Sequence, residues 1–493
     1  MRRRLFSLIS VSFLVTFPMA AQSKKMDSPT WWGKYQYIVQ NGSDPLAGTT
    51  TSVADGTNVD VSNECGPQSE TYITLDTSSP KRLAAGSNEI FRLPMRGYYS
   101  TNGGTSWGGV DLPLPAPIGT NGIDFGSDPT LAFDSSGNLF YGYIVVHFSN
   151  GNGINGTQMA VARSTNGGRT YQTVTFFGFE GGSSHFNDKP MITADANPRS
   201  PFRDSVYIAW DAASGGSAGG GVRLARSTDH GATFTTTRID DPRGPGRAIA
   251  AVPFVGPQGQ LYVAWNDYAA NTIAFTRSTD GGATFAPPSV IAAKKIPFDI
   301  AIPAELTRAA LVYPACDVNR SSSNHPGRLY CSWMDLTAQG TTDILISHSD
   351  DNGSSWSASR SVGDTLAFAV DRFNQWLSVD PTSGEVTVSF YDTRNDTTGF
   401  RYMTDTYLSR SLNGGTTFKN VRVSNESSNE HDCDGIYPCT AINYGNQQGD
   451  YEGLVTYGGI AHPVWTDSRR QRDILSGCRG NLAMEEVFTA AVK

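Results

Sequence analysis

The sequence has few charged residues and lacks a long hydrophobic run after its first residues. Only 17% of its 493 residues are Asp, Glu, Lys or Arg, too few for a coiled coil or a charge-driven disordered chain. The 38 basic and 46 acidic residues leave a net charge of −8, so we expect no affinity for nucleic acid. Beyond residue 17 no stretch is apolar for long enough to form a membrane helix, which predicts no membrane span.

The sequence also lacks the usual signatures of metal and nucleotide sites. Its six cysteines form no Cys-X-X-Cys zinc pair, and its seven histidines show no metal-ligand spacing. No phosphate-binding loop is present. We therefore predict no metal site and no cofactor.

The N-terminus has the organisation of a secretory signal peptide. Three arginines at positions 2–4 precede an apolar run from Leu5 to Phe17, and small residues follow at positions 20 and 21. We predict a signal peptide at residues 1–21, an N-terminal extension at 22–57 and a folded domain at 58–493. The expected location is secreted or periplasmic, where cysteines are normally paired as disulfides.

The sequence is rich in glycine and contains a repeated turn motif. It contains 52 Gly, 26 Pro and 11% aromatic residues, a composition typical of short strands joined by frequent turns. The pattern Ser-X-Asp/Asn-X-Gly-X-Thr/Ser-aromatic recurs with starts 51 to 71 residues apart, at Ser100–Trp107, Ser164–Tyr171, Ser227–Phe234, Ser278–Phe285, Ser349–Trp356 and Ser411–Phe418. Asn replaces Asp in three copies, so the motif predicts a structural turn, with the Asp or Asn side chain bonding amides two residues on.

Four strands per repeat predict the blade of a propeller. Three strands precede each turn and one follows it, as in antiparallel propeller blades. Seven such units begin near Glu70, Asp128, Lys189, Ala250, Tyr313, Asn374 and Asp450. The segment Asn58–Glu64 resembles Asn420–Glu426, the fourth strand of the sixth unit. We therefore predict an all-β, seven-bladed β-propeller of four-stranded antiparallel blades, closed by an N-terminal strand that removes an open edge; six blades are the alternative.

The six turns resemble the Asp-box, or bacterial neuraminidase repeat, of the sialidase-like β-propeller superfamily. The resemblance covers residues 58–492 and implies a site opposite the Asp-boxes, where first strands start and second strands end. Because these propellers include sialidases, other glycan-active enzymes and non-catalytic binders, fold alone does not fix function. We expect a monomeric, secreted propeller that engages an extracellular glycan or glycoprotein, as a glycoside hydrolase. The alternative is a non-catalytic protein- or polysaccharide-binding propeller.

Sialidases typically combine three arginines, a Tyr nucleophile assisted by Glu, and an Asp acid/base. The Phe-Arg-Ile-Pro motif of that family resembles Phe91–Pro94 here, but this segment lies six residues before Ser100, which places Arg92 near a third strand rather than at the channel. The predicted catalytic residues are instead Asp188, Asp450 and Tyr451, and the predicted substrate-binding residues are Asp128, Arg372, Arg394 and Arg469. Exchange of Asp188 or Asp450 for Asn is expected to lower turnover and leave the melting temperature nearly unchanged.

The six cysteines suggest three disulfides. Cys316 and Cys331 fall on adjacent strands of the fifth blade, and Cys433 and Cys439 enclose five residues. Pairing of the remaining Cys65 and Cys478 would join the two chain ends. Six cysteines allow fifteen connectivities, so the spacing alone leaves the alternatives open.

Overall fold

The computed structural model shows an all-β fold with one helix in the residues that it describes. It describes residues 30–44, 46, 51–116, 118, 123–148, 154–182, 187–212, 220–244, 246–431, 448–471, 473, 475–477 and 485–493. The helix is α1 (Thr30–Asn41), and two short strands follow it, β1 (Val53–Asp55) and β2 (Asn58–Asp60). No helix in these residues is long and apolar enough to cross a membrane.

The remaining strands form seven antiparallel blades arranged in a ring, as the repeats predict. Blade 1 contains β3 (Gln68–Leu75), β4 (Leu83–Glu89), β5 (Arg96–Ser100) and β6 (Gly108–Asp111). Blade 2 contains β7 (Phe125–Phe133), β8 (Leu139–Phe148), β9 (Ile154–Ser164) and β10 (Thr173–Gly181). Blade 3 contains β11 (Asn187–Ala194), β12 (Val206–Ala212), β13 (Gly221–Ser227) and β14 (Thr235–Arg238). Blade 4 contains β15 (Ala248–Val255), β16 (Leu261–Asp267), β17 (Thr272–Ser278) and β18 (Ser289–Ala293).

A separate hairpin, β19 (Asp299–Ile302) and β20 (Glu305–Leu311), interrupts the ring before blade 5. Blade 5 contains β21 (Ala315–Val318), β22 (Leu329–Leu336), β23 (Thr342–Ser349) and β24 (Arg360–Ser361). Blade 6 contains β25 (Arg372–Val379), β26 (Val386–Asp392), β27 (Met403–Ser411) and β28 (Lys419–Arg422), with β29 (Ser428–Asn429) also paired to β27. Blade 7 contains β30 (Gly453–Tyr457), β31 (Ile460–Asp467) and β32 (Glu486–Thr489).

The N-terminal strand closes the ring. Strand β2 pairs with β32, with Val59 opposite Thr489, and β1 then pairs with β2. Just beyond the ladder, the Val61 amide donates to the Val487 carbonyl at 2.7 Å. The predicted closure is therefore confirmed, and blade 7 has five strands because β1 adds an outer one.

The antiparallel blades give the propeller two faces. On one, which we call the mouth face, first strands start and second strands end; on the other, the turn face, third strands run into fourth strands. Helix α1 packs at the mouth face of blades 1 and 2, where Tyr35 stacks on Phe148 with ring centroids 4.0 Å apart and Tyr37 stacks on Phe91 at 3.7 Å.

The innermost strands bend sharply as they enter the ring. Five of them carry a shift in register with their second strand. Each shift contains a non-glycine residue with φ between 47° and 61°, namely Glu70, Asp128, Lys189, Ala250 and Asn374. Side chains other than glycine adopt this backbone region rarely and at a cost. In each of these five blades, the bulge therefore places one residue of the first strand near the mouth face.

Below the mouth, four large aromatic side chains fill the axis. Tyr313 lies 5.9 Å from Trp376 and 5.5 Å from Tyr451 between ring centroids, and Tyr72 meets Trp376 edge-on at 5.3 Å. All four come from the chain that leads into or forms the first strands of blades 1, 5, 6 and 7. These rings form an apolar floor beneath the channel mouth.

The six repeated turns share one hydrogen-bond network on the turn face. In each, the Ser hydroxyl donates to the Asp or Asn side chain and accepts from the Gly amide four residues after the Ser. The Asp or Asn oxygen also accepts an amide four residues on, rather than two as predicted. The turn is therefore wider than predicted, and the buried Ser hydroxyl lies inside it.

This hydrogen-bond network predicts that the Ser hydroxyl contributes more to stability than the negative charge of the Asp does. We expect Ser349→Ala to lower the free energy of unfolding by about 1–3 kcal/mol, because the buried Gly353 amide then lacks its acceptor. Asp351→Asn should change stability little, since Asn102 makes the equivalent bonds through its amide. Urea unfolding of both variants checks this. A larger loss in Asp351→Asn than in Ser349→Ala would contradict it.

One of the predicted disulfides lies within the described residues and is confirmed. Cys316 on β21 and Cys331 on β22 are directly opposite in the ladder, with Cα atoms 4.1 Å apart, and they are bonded. Cys65 is also disulfide-bonded. Cys433, Cys439 and Cys478 lie outside the described residues, so the pairings Cys65–Cys478 and Cys433–Cys439 stay predictions.

A buried histidine gives the fold an acid-sensitive contact between blades 7 and 1. His462 on β31 is 3% exposed and lies against the turn at Gly104. Burial lowers the pKa of His462 from 6.5 to about 4. The unfolded chain therefore binds more protons between these values, and stability is lost as pH falls from 6.5 to 4. We expect His462→Gln to reduce the fall in melting temperature across this window. An identical fall in both proteins would disprove the role of His462.

Candidate functional site

A buried group of charged side chains sits at the mouth of the channel, directly above the aromatic floor. Lys189 lies at its centre, because its Nζ atom is 3.0 Å from Glu70 Oε1, 3.6 Å from Asp128 Oδ2 and 2.5 Å from Asp450 Oδ2. These four side chains come from blades 1, 2, 3 and 7, and none is more than 7% exposed. The bulges of the first strands therefore converge on one ammonium group.

A second cation joins this group from the inserted hairpin. Arg308 on β20 donates from Nε to Asp450 Oδ1 at 2.8 Å and from its terminal nitrogen to Glu70 Oε1 at 3.1 Å. Its side chain is 3% exposed. We call Glu70, Asp128, Asp188, Lys189, Arg308 and Asp450 the axial cluster. Arg308 is not predictable from the repeats, because the hairpin that carries it has no counterpart in the other blades.

Two of the four carboxyl groups in this cluster carry the charge that balances the cations. Burial opposes ionisation of Asp450, but Arg308 and Lys189 outweigh it and lower the pKa of this carboxyl. Burial likewise opposes ionisation of Asp128, and Lys189 with a hydrogen bond from Asp188 lowers its pKa. Burial raises the pKa of Glu70 to about 8 despite Lys189. Burial also raises the pKa of Asp188 far above its usual range, and Asp128 adds to the rise. Asp128 and Asp450 are therefore the carboxyl groups of the cluster that favour the ionised form, whereas Glu70 and Asp188 hold a proton more readily.

Asp188 is the member of the axial cluster that faces outward. It is half-buried, whereas the other five are buried. Its Oδ1 accepts the Lys189 amide at 3.0 Å, and its carboxyl hydrogen-bonds that of Asp128. A carboxyl with a raised pKa beside a carboxyl with a lowered pKa is the arrangement that general acid catalysis uses. The cluster can therefore supply a proton at its outer edge and negative charge just behind it.

Tyr451 belongs to the aromatic floor. It is 1% exposed, and its hydroxyl donates to the Pro129 carbonyl at 3.0 Å. Lys189 Nζ lies 5.8 Å from the centre of its ring. The adjacent Glu452 is buried too, and its neighbour is Tyr391 of blade 6. The two side chains therefore have different surroundings, as expected for consecutive residues of an extended chain.

The three predicted substrate-binding arginines are placed within blades 6 and 7. Arg372 pairs with Asp392 at 2.8 Å and Asp343 at 2.7 Å, and Arg394 pairs with the same Asp392 at 2.7 Å. Arg394 also pairs with the half-exposed Asp364 at 2.6 Å. These two arginines form one ion-pair group at the mouth face of blade 6.

The third arginine is held separately. Arg469 pairs with Asp467 at 2.6 Å and Asp55 at 3.3 Å, and it lies over the Phe488 ring at 4.4 Å. Arg92 of the Phe-Arg-Leu-Pro segment pairs with Asp111 at 2.5 Å within blade 1. The structure brings together the predicted Asp128, Asp188, Asp450 and Tyr451 and places the four arginines elsewhere. No group of three or more His, Cys, Asp or Glu side chains in the described part of the chain is arranged to hold a metal ion.

Seven blades closed by the N-terminus, with six equivalent turns on the face opposite a polar axial cluster, decide the architecture. In fold, this is a seven-bladed β-propeller. No family model matches the chain, and no curated protein matches it.

Solved structures of similar fold include two sialic-acid enzymes and a lyase. The intramolecular trans-sialidase of a leech is 12% identical, with 78% of this chain and 71% of that chain covered and a TM-score of 0.46. The NanB sialidase of Streptococcus pneumoniae is 11% identical, covering 78% and 72%, with a TM-score of 0.45. An ulvan lyase of a polysaccharide lyase family is 11% identical, covering 87% and 94%, with a TM-score of 0.47. These values concern the fold only.

Proposed function

We propose that this protein is a secreted glycoside hydrolase that acts on extracellular glycans at the axial cluster. The observation that supports this most is the convergence of Asp128 and Asp450 on Lys189, at 3.6 Å and 2.5 Å from its Nζ atom, beside the half-buried Asp188, whose carboxyl accepts the Lys189 amide. Glycosidases need one carboxyl that donates a proton and a second that stays ionised. The raised pKa of Asp188 and the lowered pKa of Asp450 suit these two roles.

Each cluster residue has a role in this proposal. Asp188 protonates the glycosidic oxygen, because it is the only half-buried carboxyl among the named residues of the cluster and its pKa is raised. Asp450 stabilises the positive charge that develops on the sugar ring, and Asp128 orients the acid and binds sugar hydroxyls. Asp128 and Asp450 lie 3.6 Å and 2.5 Å from Lys189 Nζ, so one ammonium group holds both carboxylates.

The remaining predicted residues take supporting roles. Tyr451 forms the floor under the bound sugar; action as a nucleophile requires its hydroxyl to leave the Pro129 carbonyl. Arg372, Arg394 and Arg469 lie at the mouth face of blades 6 and 7 and contact outer parts of the glycan. All three are already ion-paired with aspartates, so they bind hydroxyl groups rather than a free sugar carboxylate.

A second candidate function is non-catalytic binding. It is favoured by the near-complete pairing within the cluster, where Lys189 and Arg308 both contact two or more carboxylates and are at most 6% exposed. In that case the cluster joins blades 1, 2, 3 and 7, and a polysaccharide or protein binds to the surrounding loops.

A panel of chromogenic glycosides that includes a sialoside, combined with a glycan-binding array, tests both functions. Turnover of any glycoside supports the hydrolase. Binding of a glycan without turnover supports the non-catalytic function. Absence of both turnover and binding overturns the proposal that the protein engages glycans.

A further inference from the structure

An exposed stack of aromatic rings lies on the mouth face of blade 6. Phe400, in the loop between β26 and β27, is 64% exposed. Its ring stacks on Tyr402 with centroids 5.4 Å apart, and Tyr402 stacks on His431 at 3.9 Å. We call these three residues the aromatic stack. One end of it is packed, and the other end presents a ring face to solvent.

The loop that carries Phe400 is held in one conformation. The Asp396 carboxylate accepts the amides of Gly399 at 2.9 Å, Arg401 at 2.9 Å and Met403 at 3.1 Å. Arg401 has a φ of 62° and pairs with buried Asp371 at 3.0 Å. A backbone conformation of this kind has a cost and persists only where the surroundings impose it. The exposure of Phe400 is therefore built into the loop.

The aromatic stack is connected to the axial cluster. The His431 Nε2 atom lies 2.8 Å from the Pro303 carbonyl, to which it donates. Pro303 stands at the tip of the β19–β20 hairpin, whose second strand carries Arg308 of the axial cluster. At the start of the same hairpin, Phe298 is 37% exposed and meets Tyr268 edge-on at 5.4 Å. Exposed aromatic rings therefore lie close to the β19–β20 hairpin, which carries Arg308 into the axial cluster.

We propose that the aromatic stack is a subsite for one sugar ring of a glycan chain that extends from the axial cluster along the β19–β20 hairpin. The apolar C–H face of a pyranose packs on the Phe400 ring, and its hydroxyl groups reach the polar loop around the ring. Residues 397–399 of this loop are all exposed. The ligand class rests on the proposed engagement of glycans, and the inference adds that the preferred glycan is an oligosaccharide rather than a single sugar.

The size of the patch favours a sugar over a protein partner. A stable protein interface buries about 1,200–2,000 Å² in total, whereas the exposed apolar surface here is one ring surrounded by Thr, Asp and Gly. A rigid aromatic side chain in a preformed loop contributes affinity without a large ordering cost. One sugar ring matches such a platform.

Binding of oligosaccharides to Phe400→Ala tests the subsite. The probes are tetra- to hexasaccharides of the sugars on the binding array, measured by calorimetry against the wild-type protein. We expect at least about tenfold weaker binding, equivalent to about 1.4 kcal/mol. Leu412→Ala is the matched control, because Leu412 is 76% exposed but lies on the turn face; its affinity should equal that of the wild type. Equal affinity of Phe400→Ala and wild type overturns the inference, as does a wild-type protein that binds none of these probes.

The same variant separates this inference from the proposed hydrolase activity. Turnover of aryl monosaccharides by the wild-type protein and by the Leu412→Ala control reports on the axial cluster, whereas the oligosaccharide affinity of Phe400→Ala reports on the aromatic stack. Oligosaccharide binding that depends on Phe400, without turnover of any glycoside, supports the subsite and rejects the hydrolase. Turnover together with binding that is independent of Phe400 supports the hydrolase and rejects the subsite.

Discussion

Asp188→Asn is expected to lower turnover by about 10²–10⁴-fold, the usual contribution of a positioned general acid. Asn has the shape of Asp188 and retains an oxygen for the Lys189 amide and a donor for Asp128. It has no proton to transfer to a leaving oxygen. Because Asp188 is only half-buried and burial raises its pKa, the exchange removes a group that disfavours charge, and we expect the melting temperature to remain close to that of the wild type. Values of kcat and KM on the glycoside found in the panel measure the effect.

The pH profile gives this prediction a second readout. Since the pKa of Asp188 is raised, activity should persist at neutral pH and fall as pH rises through that pKa, where the acid loses its proton. Asp351→Asn, on the turn face, is the control and should keep wild-type turnover. Full activity of Asp188→Asn would reject Asp188 as the acid. An equal loss in Asp351→Asn would show that the assay reports on folding.

Asp450→Asn should strongly lower the free energy of unfolding. Its carboxylate is 7% exposed and pairs with both Lys189 and Arg308. Removal of one partner from a buried ion pair leaves uncompensated charge, and such changes cost about 3–5 kcal/mol. The sequence predicts a nearly unchanged melting temperature for this variant, because sequence alone does not reveal that two cations depend on Asp450. Urea unfolding followed by tryptophan fluorescence measures the difference.

An exposed pair of the same type provides the control. Asp350 accepts two bonds from Arg328, both at 2.7 Å, but its side chain is 58% exposed. Surface pairs contribute about 0–1 kcal/mol, so Asp350→Asn should unfold at nearly the wild-type urea concentration. Comparable destabilisation by Asp350→Asn and Asp450→Asn would mean that burial of the axial cluster does not determine its energetics.

Repetition made much of the fold predictable. The spacing of the turns located the starts of the first strands, and the likeness of Asn58–Glu64 to Asn420–Glu426 predicted the closing strand. The positive φ at positions such as Glu70 and Lys189 was not predictable, because only Gly or Asn would signal it in a sequence. Helix α1 was also missed, since the extension that contains it occurs once.

The limits of prediction at the site have a similar cause. Arg394 follows Asp392 by two residues, and Arg469 follows Asp467 by two. This spacing is compatible with an arginine that faces the channel and equally with one that folds back onto its own aspartate. The structure shows the second arrangement in both blades. Arg308 lies on an insertion, where comparison among repeats provides no reference position.

Closure by the N-terminus also orders events during folding. Val59 pairs with Thr489, so the last blade joins residues from opposite ends of a chain of 493. Contacts of such long sequence separation form slowly because the intervening chain must first be organised. During synthesis, β2 emerges long before β32, its partner in blade 7. The ring therefore becomes a closed circle only after β32 has been made, and until then the edge of β2 is open to other chains.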